Sequence, residues 1–253
     1  PNNCKLPGEN GRCVPYFKSV DTSQFESLPP GIPFIMVSND VGEQIRDDVV
    51  NGDGLIRMIV SVDNQGERDV KVPCGVLPGD TEELIIFGAH HDTVYNGAGA
   101  IDDTSGTATV LELARQFAKM AETRGEPKYT MKFCTWGGEE QGLHGSKAYV
   151  GQYQPELQEN LRIYINLDMN HVDIDYETRG NGVWMFGNDR RDTQHIEGIV
   201  KEFESQNPRG LASIYDINVD TLDGPKNGPN GMPYNSDHGP FVYDIQREDG
   251  SKD

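Results

Sequence analysis

The chain is short of positive charge. Lys and Arg number 22 against 41 Asp and Glu, a formal net charge of −19 over 253 residues. Nucleic-acid binding draws its affinity from Lys and Arg that displace counterions from phosphates, and attachment to an anionic membrane surface needs basic clusters. The charge balance argues against both. Net charge bears on solubility rather than on fold, so the surplus carboxylates read either as a solvated surface or, where they converge, as a site for multivalent cations. Long apolar runs are also missing. None approaches the ~18–20 residues that a membrane-spanning helix needs, which leaves no membrane span to be read. No internal repeat or long low-complexity tract is present, and the segment that starts at Pro1 does not read as a signal peptide. A chain starting without Met is expected to be a processed form or a fragment. There are only four cysteines and no CxxC pair, so a thiolate zinc site is not expected. Cys4 and Cys13 flank the Gly- and Asn-containing segment PNNCKLPGENGRC, where a local disulfide would suit an oxidising compartment. Cys134 lies within an apolar strand pattern and reads as a buried free thiol.

What is present is an alternation of strands and helices. The first third is irregular, but IPFIMVS reads as a buried strand. Val41–Val50 reads as a short helix with Val41, Ile45 and Val49 on one face, and Leu55–Val62 as a second strand after the NGDG turn. From Lys71 the alternation lengthens. KVPCGVL, ELIIFGAH, TMKFCTW, LRIYINLD and NGVWMFG read as strands. TSGTATVLELARQFAKMAETRG is a helix with Val110, Leu111, Ala114, Phe117, Ala118 and Ala121 on its apolar face. GSKAYVGQY is a short helix, and DTQHIEGIVKEFES a longer one with Ile196, Ile199, Val200 and Phe203 on one side. The pattern predicts an α/β fold, a three-layer αβα sandwich around a mainly parallel mixed sheet, preceded by a small α/β segment.

In open α/β sheets, ligands gather beyond the carboxyl ends of the strands. ELIIFGA runs into His90-His91-Asp92, and the next loop carries Asp102-Asp103. TMKFCTW runs into Gly137-Gly138-Glu139-Glu140, LRIYINL into Asp168, and a late loop carries Ser236-Asp237-His238. A single loop carboxylate is ordinarily just solvated. Several of them directly behind apolar strands must be paired, bound to metal or neutralised by protonation. Two His and three carboxylates make a donor set suited to two zinc ions sharing one carboxylate.

In order along the chain, GAHHDT, GAIDDTSGTA, GGEEQGLHGS, NLDMN and NSDHGPF resemble the motifs of the dizinc metallopeptidases of the bacterial leucyl aminopeptidase and glutamate carboxypeptidase type, metallopeptidase family twenty-eight. The resemblance covers Lys71 to about Val242. It implies that His90, Asp102, Glu140, Asp168 and His238 hold two zinc ions, with Asp102 bridging. His90 and Asp168 would serve one ion, Glu140 and His238 the other. Glu139 would be the general base, taking a proton from a water held between the ions so that it attacks the peptide carbonyl. His91 falls at the variable position. Asp92 would orient the His90 imidazole, Asp103 would follow the bridging residue across a cis peptide, and Asp237 would support His238.

The resemblance implies a metal-dependent exopeptidase, first of all an aminopeptidase acting on a peptide or small peptide-like substrate. A carboxypeptidase of the same family would need cations for a terminal carboxylate, for which Arg179, Arg190, Arg191 and Lys226 are available. A one-zinc glutaminyl cyclase relative and a non-catalytic receptor-like relative are the further alternatives. Both typically lose ligands that this chain keeps. Residues 31–63, including GIPFIMVSNDVGEQIRDDV, look more loosely like the closing half of a protease-associated domain. The expected organisation is therefore an N-terminal segment over 1–68 and a zinc peptidase domain over 69–253, in a secreted or cell-envelope protein. Family members continue beyond the SDH motif with a further strand, a loop and a closing helix. This chain ends in QREDGSKD, so a fragment lacking the C-terminal end of its domain is expected.

Overall fold

A computed structural model describes residues 37, 39–52, 57, 59, 66–94, 97–170, 182–213, 215–226 and 228–246. The chain divides into two units, Pro1–Asp69 with Val94–Ala98, and Val70–Thr93 with Gly99–Asp253. In the first, the expected short helix is present as α1 (Asn39–Asn51), with Asp40 in its first turn, where a carboxylate favours the helix dipole. The strand expected over IPFIMVS lies outside the described residues except for Val37. The one over Leu55–Val62 does so except for Arg57 and Ile59. The Cys4–Cys13 pairing also lies outside them.

The second unit is built on a four-stranded sheet of β1 (Cys74–Leu77), β2 (Thr81–His90), β3 (Tyr129–Trp136) and β4 (Leu161–Asn166), in the order β1-β3-β2-β4. β2 runs parallel to both β3 and β4, and β1 is the antiparallel edge. A central parallel strand is covered on both faces, so it reads as a continuous apolar run rather than as an alternation; LIIFGA in β2 is that run. Its residues still divide by parity. Leu84 and Ile86 join Cys134, Trp136, Tyr149, Val150, Leu157, Phe241 and Ile245 in one core cluster. Phe87 and Ala89 join Val110, Met131 and Phe133 in the other. α2 (Thr104–Arg124) covers the second cluster, while α3 (His144–Gln152), α4 (Gln154–Asn160) and α6 (His238–Tyr243) cover the first. The result is the expected mixed α/β architecture with a central mixed sheet. A separate parallel pair, β5 (Gly182–Gly187) and β6 (Asp216–Thr221), carries α5 (Arg190–Gln206).

Three local expectations need correction. Leu111 was placed on the apolar face of α2, yet it is 62% exposed. The buried seam runs through Val110, Leu113, Ala114 and Phe117, one row of i, i+3, i+4 and i+7 positions that leaves Leu111, and Ala118 with it, on the solvent side. For the same reason Ile199 of α5 is exposed while its neighbour Val200 is buried. Cys134 is fully buried, as its strand position implies, but it is not a free thiol. It is bonded to Cys74. The cause is register: β1 pairs antiparallel with β3 so that Cys74 stands directly opposite Cys134, with a Cα–Cα distance of 4.1 Å. Burial follows from the apolar pattern of one strand, whereas the partner of a cysteine depends on how two strands align.

Candidate metal centre

Because β2, β3 and β4 are parallel, their carboxyl ends open on one side of the sheet. His90 is the last residue of β2 and is 1% exposed. Its Nδ1 lies 2.9 Å from the Asp92 backbone carbonyl, and in the neutral ring, the form that binds metal, a hydrogen bond there puts the proton on Nδ1. Nε2 is then available as a ligand. That nitrogen faces three carboxylates: Asp102 Oδ1 at 3.0 Å, Asp168 Oδ1 at 3.7 Å and Glu139 Oε2 at 3.9 Å. Donor atoms of His90, Asp102 and Asp168 lie within 4.8 Å of one another, as do those of His90, Glu139 and Glu140. Burial alone would lower the His90 pKa. The adjacent Asp168 carboxylate, with the charges of Glu139 and Asp103, outweighs burial and pushes it up to about 10. An imidazole crowded by acidic oxygens, several of them shielded from water, has the excess negative charge that a divalent cation neutralises. Imidazole with carboxylates is also a donor set that suits zinc. The residues present therefore fit a metal.

The supports are built from the same strand ends. The Asp102–Asp103 peptide is cis. Asp103 is 1% exposed and caps α2. Its carboxylate accepts from the backbone N–H groups of His90 (3.2 Å), Gly106 (3.0 Å) and Met169 (3.0 Å). One side chain thus ties the ends of β2 and β4 to the start of α2. Burial raises its pKa to about 6 and the charge of Asp168 adds to this, against the lowering effect of the Met169 and Gly106 amides. Gly106 is required where it stands, since a Cβ there would come within 1.7 Å of the Leu167 carbonyl oxygen.

Asp92 serves both the His90 ring and the loop after β3. Its carboxylate oxygen stands 3.8 Å from His90 Nδ1, while its two oxygens accept from the backbone N–H groups of Glu139 (3.1 Å) and Glu140 (3.2 Å). Two amides of the loop after β3 take the carboxylate, and its own main-chain carbonyl is left to orient the imidazole. That loop is tight. The Glu139 carbonyl accepts from Gly142 and Leu143, and His144 and Gly145 bond back to Gly138 and Gly137. Glu139 is 4% exposed.

The structure brings His90, Asp102, Glu139, Glu140 and Asp168 together. His238, the first residue of α6, is in neither donor group among the described residues. Its Nε2 lies 2.6 Å from the Pro233 carbonyl. Burial lowers its pKa, opposed by the Pro233 hydrogen bond and the charge of Asp168, and a neutral imidazole is the ligating form. The preceding Asp237 is 1% exposed, and burial pushes it up to about 7. Sequence reasoning left Ser236 and Asn166 without a role, although both stand inside quoted motifs. Ser236 Oγ donates to Asp168 Oδ2 at 2.5 Å and accepts from Asn166 Nδ2 at 2.8 Å. His91, at the variable position, is turned to the Thr135 hydroxyl.

The family description "Peptidase family M28" matches residues 74–244. An aminopeptidase of Pseudomonas aeruginosa is 30% identical over 189 residues, 75% of this chain and 31% of that protein. A probable glutamate carboxypeptidase of Arthroderma benhamiae is 37% identical over 108 residues, 40% of this chain and 15% of that protein. Among solved structures, a zinc aminopeptidase from Bacillus subtilis is similar with a TM-score of 0.46 at 23% identity, covering 66% of this chain and 36% of that one. The chain spans less than a third of the length of these two sequence relatives. With a match that runs from β1 through α6 and takes in every strand-end loop described above, the chain belongs to peptidase family M28.

Proposed function

We propose that the chain is the catalytic part of a zinc-dependent exopeptidase, an aminopeptidase that removes the first residue of a peptide. In this reading His90, Asp102, Glu140, Asp168 and His238 hold two zinc ions, with Asp102 shared. His238 would complete the set with its ring turned away from the Pro233 carbonyl that it now meets. When bound, such ions supply Lewis-acid polarisation of the scissile carbonyl and lower the pKa of water. The observation that carries the reading is the placement of Glu139, buried beside the His90 cluster with its backbone held by Asp92. Its Oε2 takes the proton of the attacking water and returns it to the leaving amine. Residues 1–68 are an accessory segment partly like a protease-associated domain, and 69–253 the peptidase part. The Cys74–Cys134 disulfide supports secretion or residence in the cell envelope. Among the described residues, no helix is long and apolar enough to cross a membrane.

A carboxypeptidase reading has less support. Arg191 is 87% exposed beside Asp189 and Asp192. Lys226 Nζ lies over the Tyr234 ring, 3.5 Å from its centre, and Arg190 is exposed. Arg179 lies outside the described residues. The test is zinc-loaded protein offered matched peptides with free or acetylated N-termini. We expect release of the N-terminal residue from the free peptide and none from the acetylated one. Release of the C-terminal residue from both would overturn the aminopeptidase assignment.

A further inference from the structure

Behind Asp168 a line of hydrogen bonds runs back into the core of the sheet. Trp136 Nε1 donates to Tyr164 Oη at 2.9 Å, and Tyr164 Oη donates to Asn166 Oδ1 at 2.8 Å. Asn166 Nδ2 donates to Ser236 Oγ at 2.8 Å, and Ser236 Oγ donates to Asp168 Oδ2 at 2.5 Å. The direction is fixed from both ends. An indole N–H only donates and an ionised carboxylate only accepts, so each hydroxyl and the amide between them has one workable orientation. If the Asn166 amide were turned over, Tyr164 would face two donors, and the Ser236 hydroxyl would be drawn away from Asp168.

Two further features hold this line in place. Trp136 is fully buried and Tyr164 stacks on Phe241 of α6 with ring centroids 3.8 Å apart. Gly88 leaves room for the junction, since a Cβ there would come within 2.4 Å of Trp136 Nε1 and 2.5 Å of Tyr164 Oη. The far end of the line holds Asp168 Oδ2, while Oδ1 is the oxygen turned toward His90 Nε2.

We propose that Trp136 and Tyr164 are positioning residues for the metal centre, acting through Asn166 and Ser236 to fix which oxygen of Asp168 is presented to the ion. This rests on the reading of Asp168 as a ligand. Partners of a ligand typically change metal affinity by roughly 10–100-fold when lost, and a group two links further back acts more weakly. The experiment measures zinc affinity by chelator competition on the full chain, as parent, Asp168→Asn, Ser236→Ala, Tyr164→Phe and the Tyr164→Phe/Ser236→Ala double variant. Tyr164→Phe keeps the ring and its stacking and removes only the hydroxyl.

Tyr164→Phe is expected to weaken zinc binding about 3- to 10-fold, and Ser236→Ala by more. The double variant should match Ser236→Ala alone, because residues in one network couple rather than add. A merely structural role for Tyr164 would add its loss to that of Ser236→Ala, and additivity therefore overturns the proposal. An unchanged affinity in Tyr164→Phe beside a weakened Ser236→Ala overturns it as well. If Asp168→Asn binds zinc like the parent, the assignment of Asp168 as a ligand fails, and the proposal falls with it. Circular dichroism of each metal-free variant checks folding. Trp136→Phe, which removes the first donor of the line, replaces Tyr164→Phe if the latter does not fold, with the same two outcomes deciding.

Discussion

Replacing Glu139 by Gln is expected to leave the metal content unchanged and to lower kcat by about 10²–10⁴-fold, the range of a positioned acid/base. The substitution keeps size and hydrogen-bonding capacity and removes the ability to hold a proton. The side chain is 4% exposed and its N–H is held by Asp92, so the Gln has one place to sit. Its neighbour supplies the contrast. Glu140→Gln should lose metal along with activity, because in the proposed arrangement Glu140 is a ligand and Glu139 is not. Steady-state kinetics beside metal analysis on both variants separates the roles. If Glu139 is only a polar neighbour in an acidic pair, Glu139→Gln will stay within a few-fold of the parent.

The two adjacent aspartates should divide in another way. Asp103→Ala removes the shared acceptor of the His90, Gly106 and Met169 amides. Each buried donor left without a partner costs about 1–3 kcal/mol, and a lost helix cap adds about 0.5–2 kcal/mol. A loss of about 3 kcal/mol or more is expected, a large part of the ~5–15 kcal/mol that stabilises a typical domain. Asp102→Ala should cost less in the metal-free protein, since Asp102 is partly exposed and its loss removes one ion pair with His90 rather than the acceptor of three buried amides, yet it should abolish metal binding and activity. Urea unfolding of both metal-free variants checks the division. Equal stability losses, or an unaffected Asp103→Ala, would contradict it.

The parts of this architecture that depend on one segment at a time were legible. The apolar run of β2 follows from local pattern, and the strand-end rule leads straight to His90, Glu139 and Asp168. Features that depend on two segments meeting were not. Cys74 was within a recognised strand, but its pairing needs the β1–β3 register. Leu111 and Leu113 are both apolar, and only the line of contact with the sheet decides which is buried. β6, DINVDT, was missed because four of its six residues are polar, although Ile217 and Val219 alternate with Asp216, Asn218 and Asp220 as a strand should. At the site, motif position places a side chain near a strand end but does not give its rotamer. Asp92 therefore turned out to hold two loop amides, and the His238 imidazole turns to the Pro233 carbonyl.

Anomalous scattering at the zinc edge from crystals grown with zinc is the most direct test of a shared two-ion centre. Two peaks about 3.5–4 Å apart are expected, the spacing of paired catalytic metals. His90 and Asp168 should bind one ion, Glu140 and His238 the other, with Asp102 touching both and the His238 ring turned away from Pro233. A single peak, or peaks bound by other residues, would contradict it.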